Sequence, residues 1–155
     1  QGFTIAMKSL DKGRVSVAAG CTGIIQGCLE AVVDYTTQRR QFDKPLAGFQ
    51  LIQDMIADIS VEADAARLLT WRAADLIERG RPFGVEASKA KYYASEAAIR
   101  AANAAIQCFG GYGYVDEYPV QKYMRDARVM ALYEGTSQIQ KLLIGRAETG
   151  INAFV

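Results

Sequence analysis

The sequence predicts an all-α fold, an antiparallel bundle that resembles a four-helix bundle, with one short strand before it. Apolar residues recur at steps of three and four over most of the chain, which is typical of amphipathic helices. Prolines stand only at positions 45, 82 and 119, each between two periodic segments, and the connections are short. Short connections favour antiparallel neighbours, and 155 residues suit one domain with a sizeable core.

The first ten residues, QGFTIAMKSL, do not follow the helical pattern. Phe3, Ile5 and Met7 alternate with other residues, which predicts one short strand. A lone strand leaves its backbone groups unpaired, so we expect residues 1–10 to be the remnant of a preceding β-domain. Residues 11–155 then form the helical bundle domain. Because Gln1 is not an initiator methionine, the sequence is expected to be a piece of a longer protein.

Five helices are expected in the bundle domain. The third has alanines along one side, and such small residues permit close helix approach. The expected spans are 11–39, 49–79, 85–108, 120–130 and 137–152.

Charge and composition exclude several classes of function. The chain has 18 basic and 17 acidic residues, so no basic surface for a nucleic acid or an anionic membrane is expected. Histidine is absent, which excludes a Ser-His nucleophile and an imidazole metal site, and no metal is expected. Proton chemistry is left to Glu, Asp, Lys, Tyr or Cys. The expected partners are small molecules and other subunits.

The three cysteines are expected to be reduced and buried. Cys21 and Cys28 on one helix lie about 10 Å apart at a rise of about 1.5 Å per residue, too far for a disulfide. Cys108 has no neighbour at CxxC spacing. This pattern indicates a cytosol-like compartment.

Three stretches have both a structural and a functional interpretation. Arg39 and Arg40 end the first helix, where the macrodipole favours cations, but guanidinium groups also hold phosphates. The glycines after Cys108 cap a helix or admit a ligand close to the backbone. Asp11 is expected to cap the first helix, whereas Arg14 in the first turn needs an anionic partner. Residue pattern alone favours the structural interpretation of each stretch.

The stretch YEGTSQ is the fourth and most informative. Ser137 and Gln140 form a capping-box pattern, so Ser137 or Thr136 caps the last helix. Glu134 lies outside that helix and is not needed to form it. A carboxylate kept from water is a competent base near neutral pH, and the amides of residues 136–138 suit an anionic ligand.

Taken in order, the motifs resemble the C-terminal domain of the acyl-CoA dehydrogenases, flavoenzymes that oxidise acyl-CoA thioesters to trans-2-enoyl-CoA. The resemblance covers nearly the whole chain. It is carried by GFTIAMKSLDKGR, RRQFDKPLAGFQLIQ, QCFGGYGYVDEYPVQKYMRDAR and YEGTSQIQ.

The resemblance implies that Glu134 removes the pro-R α-proton while the β-hydrogen leaves as hydride to flavin N5. Some branches of the family place their base on the first helix instead; over residues 27–31 only Glu30 is a rival, and we interpret Glu30 as a surface residue. The substrate contacts implied are Asp11, Arg14, Gly135 and Arg146. The FAD contacts implied are Arg39, Gln41, Phe42, Phe49, Gln50, Gln107, Gly110, Gly111, Thr136, Ser137 and Gln138, with Cys108 and Phe109 contributing backbone only.

The resemblance also implies a setting for the domain. Family members carry an N-terminal helical domain and a middle β-domain, so we expect the isolated chain to bind FAD poorly and to have no turnover. The expected partners are an electron-transferring flavoprotein and further copies of the protein, as a homotetramer built from two dimers. Fatty acid β-oxidation in a bacterial cytoplasm or the mitochondrial matrix is the expected context. The alternatives are an inactive helical oligomerisation module and an oxidase-like or nitroalkane-oxidising relative.

Overall fold

The computed structural model describes residues 2–153 and forms an up-and-down helical bundle. A two-residue antiparallel pair, β1 (Arg40–Gln41) and β2 (Lys44–Pro45), shapes the first connection. The predicted all-α bundle of three long and two shorter helices is confirmed. The helices are α1 (Gly2–Gln38), α2 (Gln50–Glu78), α3 (Gly84–Phe109), α4 (Val120–Met130) and α5 (Ser137–Thr149).

Helices α1 and α3 run parallel and form the centre of the bundle. Gly84, at the start of α3, lies against the Asp11 carboxylate, and Phe109, at its end, stacks on Tyr35 with ring centroids 4.0 Å apart. The small residues of α3 allow this close packing. Its buried alanines are Ala87, Ala90, Ala94, Ala97, Ala98, Ala101, Ala102 and Ala105.

The other three helices run in the opposite direction. Near the start of α2, Met55 Sδ lies 3.9 Å from Cys108 Sγ at the end of α3. On the other side, Ser137 at the start of α5 bonds Glu96, in the middle of α3. The chain between α4 and α5 is therefore brought alongside the N-terminal half of α1.

Residues 2–10 are helical, so the predicted N-terminal strand is wrong. They extend α1 by more than two turns, and Ile5 is 65% exposed. The strands of the described chain are the two-residue pair that follows the opposite end of α1, whereas a helix satisfies the backbone groups of residues 2–10 internally. Asp11 consequently lies inside α1, and its predicted role as an N-cap is also wrong. The assignment of residues 1–10 to a preceding domain stays a prediction.

Helix α1 is long and apolar enough from Thr4 to Gln38 to cross a membrane by length and composition alone. Core helices share these properties. Ala18, Cys21 and Ile25 of α1 are fully buried in the bundle core.

The three cysteines are free and buried, as predicted. Desolvation by burial raises the pKa of Cys21 and of Cys28 to about 12, and that of Cys108 to about 11. The thiolate is the reactive form, so each thiol is inert in the native protein.

We expect iodoacetamide at pH 8 to leave all three cysteines unmodified in the native protein and to alkylate all three in urea. Mass spectrometry of the two samples measures the number of adducts. Native alkylation at a rate close to that in urea would contradict the burial.

Candidate active site

Glu134 lies in the loop between α4 and α5 in a strained backbone conformation. Its φ is +55°, and Gly135 follows with φ +88°. A non-glycine residue in this region costs free energy and persists where the surroundings enforce it. A Cβ on Gly135 would come within 2.6 Å of Gln140 Nε2, so glycine is required there.

Two buried donors hold this turn from inside the bundle. Gln140 Nε2 donates to Glu134 O at 3.1 Å and to Gly135 O at 3.0 Å. Lys91 Nζ donates to Gly135 O at 2.8 Å. Both side chains are 0% exposed. The turn is therefore fixed by three hydrogen bonds to two consecutive carbonyl groups.

The Glu134 carboxylate packs against α1 at Gly13. A Cβ on Gly13 would lie 2.5 Å from Glu134 Oε2, a distance that no side chain tolerates without displacing the carboxylate. Gly13 therefore leaves the space in which this oxygen sits.

Glu30, the rival base, lies far from this site. It is exposed and accepts a hydrogen bond from Gln26 Nε2 at 2.9 Å. Seventeen residues of helix separate it from Gly13, about 25 Å at a rise of about 1.5 Å per residue. The position on α1 that faces Glu134 is Gly13, which lies outside residues 27–31, the range expected to hold any rival base.

Three buried polar side-chain atoms in the described residues have no hydrogen-bond partner, and all belong to this region. They are Arg14 Nε, Glu134 Oε2 and Gln140 Oε1. Arg14 is 5% exposed, and its Nη1 donates to Asp11 Oδ1 at 2.6 Å. Leaving such a group unpaired costs about 1–3 kcal/mol, so a cluster of three indicates a site built for a ligand.

The buried ammonium group of Lys91 adds to the charge of the site. Burial lowers the pKa of Lys91, and the negative charge of Glu96 acts in the opposite direction. The sequence pattern did not identify Lys91 as a site residue, and it did not predict that the Gln140 side chain bonds the Glu134 turn. A signal for Lys91 was present, because it lies three residues before Ala94 and four after Ala87 on the small-residue face of α3.

Helix α5 begins at the same loop. Thr136 is its cap, with Oγ1 accepting from Ile139 N at 3.4 Å, whereas Ser137 is the first helical residue and donates to Glu96. The predicted capping box of Ser137 and Gln140 is therefore wrong, because Gln140 is directed at the Glu134 turn. Gln138 is exposed.

A second group of the implied flavin contacts lies at the other end of α1 and α3. The Arg39 guanidinium lies 5.7 Å from the centroid of the Tyr112 ring, above the turn that contains Gly110 and Gly111. A Cβ on either glycine would meet nothing within 4 Å, so this backbone is open. A cleft of about 550 Å³ adjoins it, lined in part by Arg39 and Tyr112.

The remaining implied contacts are at the surface of the same end. The Phe42 ring is 86% exposed and lies 6.2 Å from the Phe49 ring, while Gln41, Gln50 and Gln107 are exposed.

The structure therefore divides the implied site residues into two groups. Arg14 lies on α1 and Arg39 directly follows its last residue; they are twenty-five residues apart, about 37 Å at helical rise. The first group lies towards the N-terminal end of α1 and contains Glu134, Gly135, Thr136, Asp11 and Arg14. The second group lies at the opposite end of the bundle and contains Arg39, Gly110 and Gly111. Arg146 is exposed in the last turn of α5.

Fold and site together define a helical-bundle domain with a half-buried carboxylate, one oxygen of which is buried without a hydrogen-bond partner. Residues 1–149 match the family model described as "Acyl-CoA dehydrogenase, C-terminal domain". The chain belongs to the acyl-CoA dehydrogenase family.

Individual relatives agree with this assignment. An acyl-CoA dehydrogenase of Bacillus subtilis is 50% identical over 145 residues, which are 94% of this chain and 38% of that protein. The structure of butyryl-CoA dehydrogenase from Megasphaera elsdenii superposes with a TM-score of 0.93 at 47% identity, covering 95% of this chain and 38% of that one. A structure described as an electron transferring flavoprotein of Acidaminococcus fermentans gives a TM-score of 0.94 at 43% identity, covering 95% and 39%. The chain thus spans about two fifths of the length of these relatives.

Proposed function

We propose that this chain is the C-terminal domain of a flavin-dependent acyl-CoA dehydrogenase that converts an acyl-CoA thioester to its trans-2-enoyl-CoA. The observation that carries the proposal is the Glu134 carboxylate, held in a strained turn with one buried oxygen that has no partner. A helical module without chemistry has no use for such an arrangement, since it only costs stability.

Glu134 is the general base in this proposal. Its carboxylate takes the proton from Cα of the thioester, and the electron pair of the broken Cα–H bond becomes the second bond between Cα and Cβ. FAD, when bound, accepts the hydride that leaves Cβ. Removal of an α-proton requires a polarised thioester carbonyl, and the N–H groups of Gly135 and Thr136 donate to no acceptor in residues 2–153.

Asp11, Arg14, Gly135 and Arg146 are proposed to lie along the acyl-CoA. The free Nε of Arg14 and the N–H of Gly135, which donates to no acceptor in residues 2–153, support this for two of the four. The acyl chain length is left open.

The residues present fit a dinucleotide flavin. At one end of the bundle Arg39 lies over the Tyr112 ring, in the same turn as the open backbone of Gly110 and Gly111. A guanidinium group and an open backbone suit the two phosphates. At the other end, Thr136, Ser137 and Gln138 start helix α5, whose N-terminal dipole favours electron-rich groups. The flavin-binding surface around Arg39 would be extended by Gln41, Phe42, Phe49, Gln50 and Gln107.

Because the two groups lie at opposite ends of α1, one domain would contact two flavins in an oligomer. This supports an oligomer, and the oligomer we propose is a homotetramer, built as a dimer of dimers. An electron-transferring flavoprotein is the proposed electron acceptor, and the similarity to the Acidaminococcus fermentans structure supports it. Fatty acid β-oxidation in a bacterial cytoplasm or a mitochondrial matrix is the proposed context.

The proposed function is tested by assaying the full-length protein with acyl-CoA thioesters of different chain lengths and an artificial electron acceptor. We expect turnover and formation of a 2-enoyl-CoA with at least one thioester. Failure of every thioester to reduce the bound flavin would contradict the proposal.

Arg39→Ala in the full-length protein is expected to weaken FAD binding about 10- to 100-fold, because it removes charge-assisted hydrogen bonds to a phosphate. The dissociation constant, measured by titrating FAD into the apoprotein, checks this. Arg40→Ala is the matched control, since Arg40 is exposed and donates to the nearby Asp43 carbonyl. Equal weakening by both substitutions would contradict the assignment of Arg39.

A further inference from the structure

We propose that Lys91 is a positioning residue of the carboxylate site, which fixes the Glu134–Gly135 turn from inside the bundle. The inference rests on the proposed role of Glu134 as base. It assigns a function to a buried cation that neither the packing of the bundle nor the proposed proton transfer requires.

The burial of Lys91 is the first step of the argument. It is the largest of the fully buried side chains in the described residues and the only Lys or Arg among them. Lysine is almost never fully buried without a partner, and an apolar residue of similar volume is often neutral or stabilising at such a site. The small-residue face of α3 would accept an apolar side chain, so the ammonium group has a purpose other than packing.

The hydrogen bond of Lys91 is the second step. Its ammonium group donates to Gly135 O, and Gln140 donates to the carbonyl groups of both Glu134 and Gly135. In a trans peptide the N–H points opposite to the C=O, and the described chain has no cis peptide bond. The N–H groups of Gly135 and Thr136 therefore point away from Lys91 and Gln140, and they donate to no acceptor in residues 2–153. By bonding Gly135 O, Lys91 thus fixes the direction of the Thr136 N–H, which belongs to the same peptide group, while it also holds the turn.

The groups that surround Lys91 are the third step. Arg14 and Cys21 approach it from α1, Glu96 from α3 itself, and Glu134 from the loop. Arg14 Nη1 donates to Asp11, and Ser137 donates to Glu96. Glu134 Oε2 has no hydrogen-bond partner, so the position of this oxygen depends on the turn that Lys91 fixes.

The test uses the full-length flavoprotein with Lys91→Met, which keeps length and burial but removes both charge and donor. Lys91→Gln removes the charge and keeps a donor. Lys89→Met is the matched control, because Lys89 is two residues away on α3, partly exposed, and paired with Glu148 at 2.7 Å. Glu134→Gln is measured in parallel. The readouts are the rate of anaerobic flavin reduction by butyryl-CoA and the dissociation constant of the thioester, since a positioning role lowers the first and spares the second.

We expect Lys91→Met to lower the reduction rate about 10- to 100-fold with the dissociation constant changed less than about 3-fold. Lys91→Gln keeps a donor and should lose less of the rate, and it is measured in place of Lys91→Met if that variant does not fold. Lys89→Met should match the wild type.

A wild-type rate in a folded Lys91 variant, beside an inactive Glu134→Gln enzyme, would overturn the positioning role while leaving Glu134 as the base. A Glu134→Gln enzyme that reduces flavin normally would instead remove the base on which the inference rests.

Discussion

Replacing Glu134 by Gln is expected to slow flavin reduction by an acyl-CoA about a thousandfold or more in the full-length protein, while fold and thioester binding are kept. Gln has nearly the same shape as Glu and meets the same backbone strain at φ +55°, so the turn is preserved. The amide cannot take the α-proton, and general bases contribute about 10²- to 10⁴-fold. Anaerobic stopped-flow absorbance of the flavin measures the rate.

Glu30→Gln is the matched control for this prediction. It makes the same chemical change on the exposed side of α1 and should leave the rate unchanged. A Glu134→Gln enzyme that retains a tenth of the wild-type rate would contradict the assignment of the base.

Gly13→Ala is expected to lower the reduction rate about 10- to 100-fold without unfolding the protein. The new Cβ would lie 2.5 Å from Glu134 Oε2, so the carboxylate must move. The displaced group is the end of a flexible side chain, so the steric cost is small, and alanine gains about 0.5–1 kcal/mol over glycine within a helix. A displacement of about 1 Å at the reacting group is enough for such a loss of rate. Stopped-flow reduction and thermal unfolding measure the two effects.

Gly20→Ala separates the steric effect from helix propensity. Gly20 is exposed on the same helix, and a Cβ there would meet nothing within 4 Å. We expect this variant to be slightly more stable than the wild type and equally active. A Gly13→Ala enzyme that behaves like Gly20→Ala would show that Gly13 does not limit the position of Glu134.

The helices were predictable because the apolar spacing agrees with the positions of the prolines that separate the helical segments. Helix α4 has the predicted bounds, and α2 and α3 begin and end within about one residue of expectation. The segment 2–10 was not predictable in the same way. Phe3, Ile5 and Met7 have the alternation of a strand, but a strand needs a partner, and local helical hydrogen bonds prevail where the described chain supplies none.

The site was predictable only in part. Glu134 is identified by its place outside the capped helix, which is a local property of the sequence. The small-residue face of α3 indicates that Lys91 is buried, but its contact with the loop, like that of Gly13, arises only when α1, α3 and the loop meet. Gln140 shows the same limit, because its spacing from Ser137 fits a capping box while its side chain bonds the Glu134 turn instead.

The most direct test of Glu134 as the base is hydrogen exchange at Cα of acetyl-CoA in D₂O, catalysed by the full-length flavoprotein. Acetyl-CoA has α-hydrogens but no Cβ, so proton removal proceeds without any hydride transfer. We predict that the wild-type protein incorporates deuterium into the acetyl group and that Glu134→Gln, with its flavin bound, does so no faster than buffer. Equal incorporation by the two proteins would contradict the account.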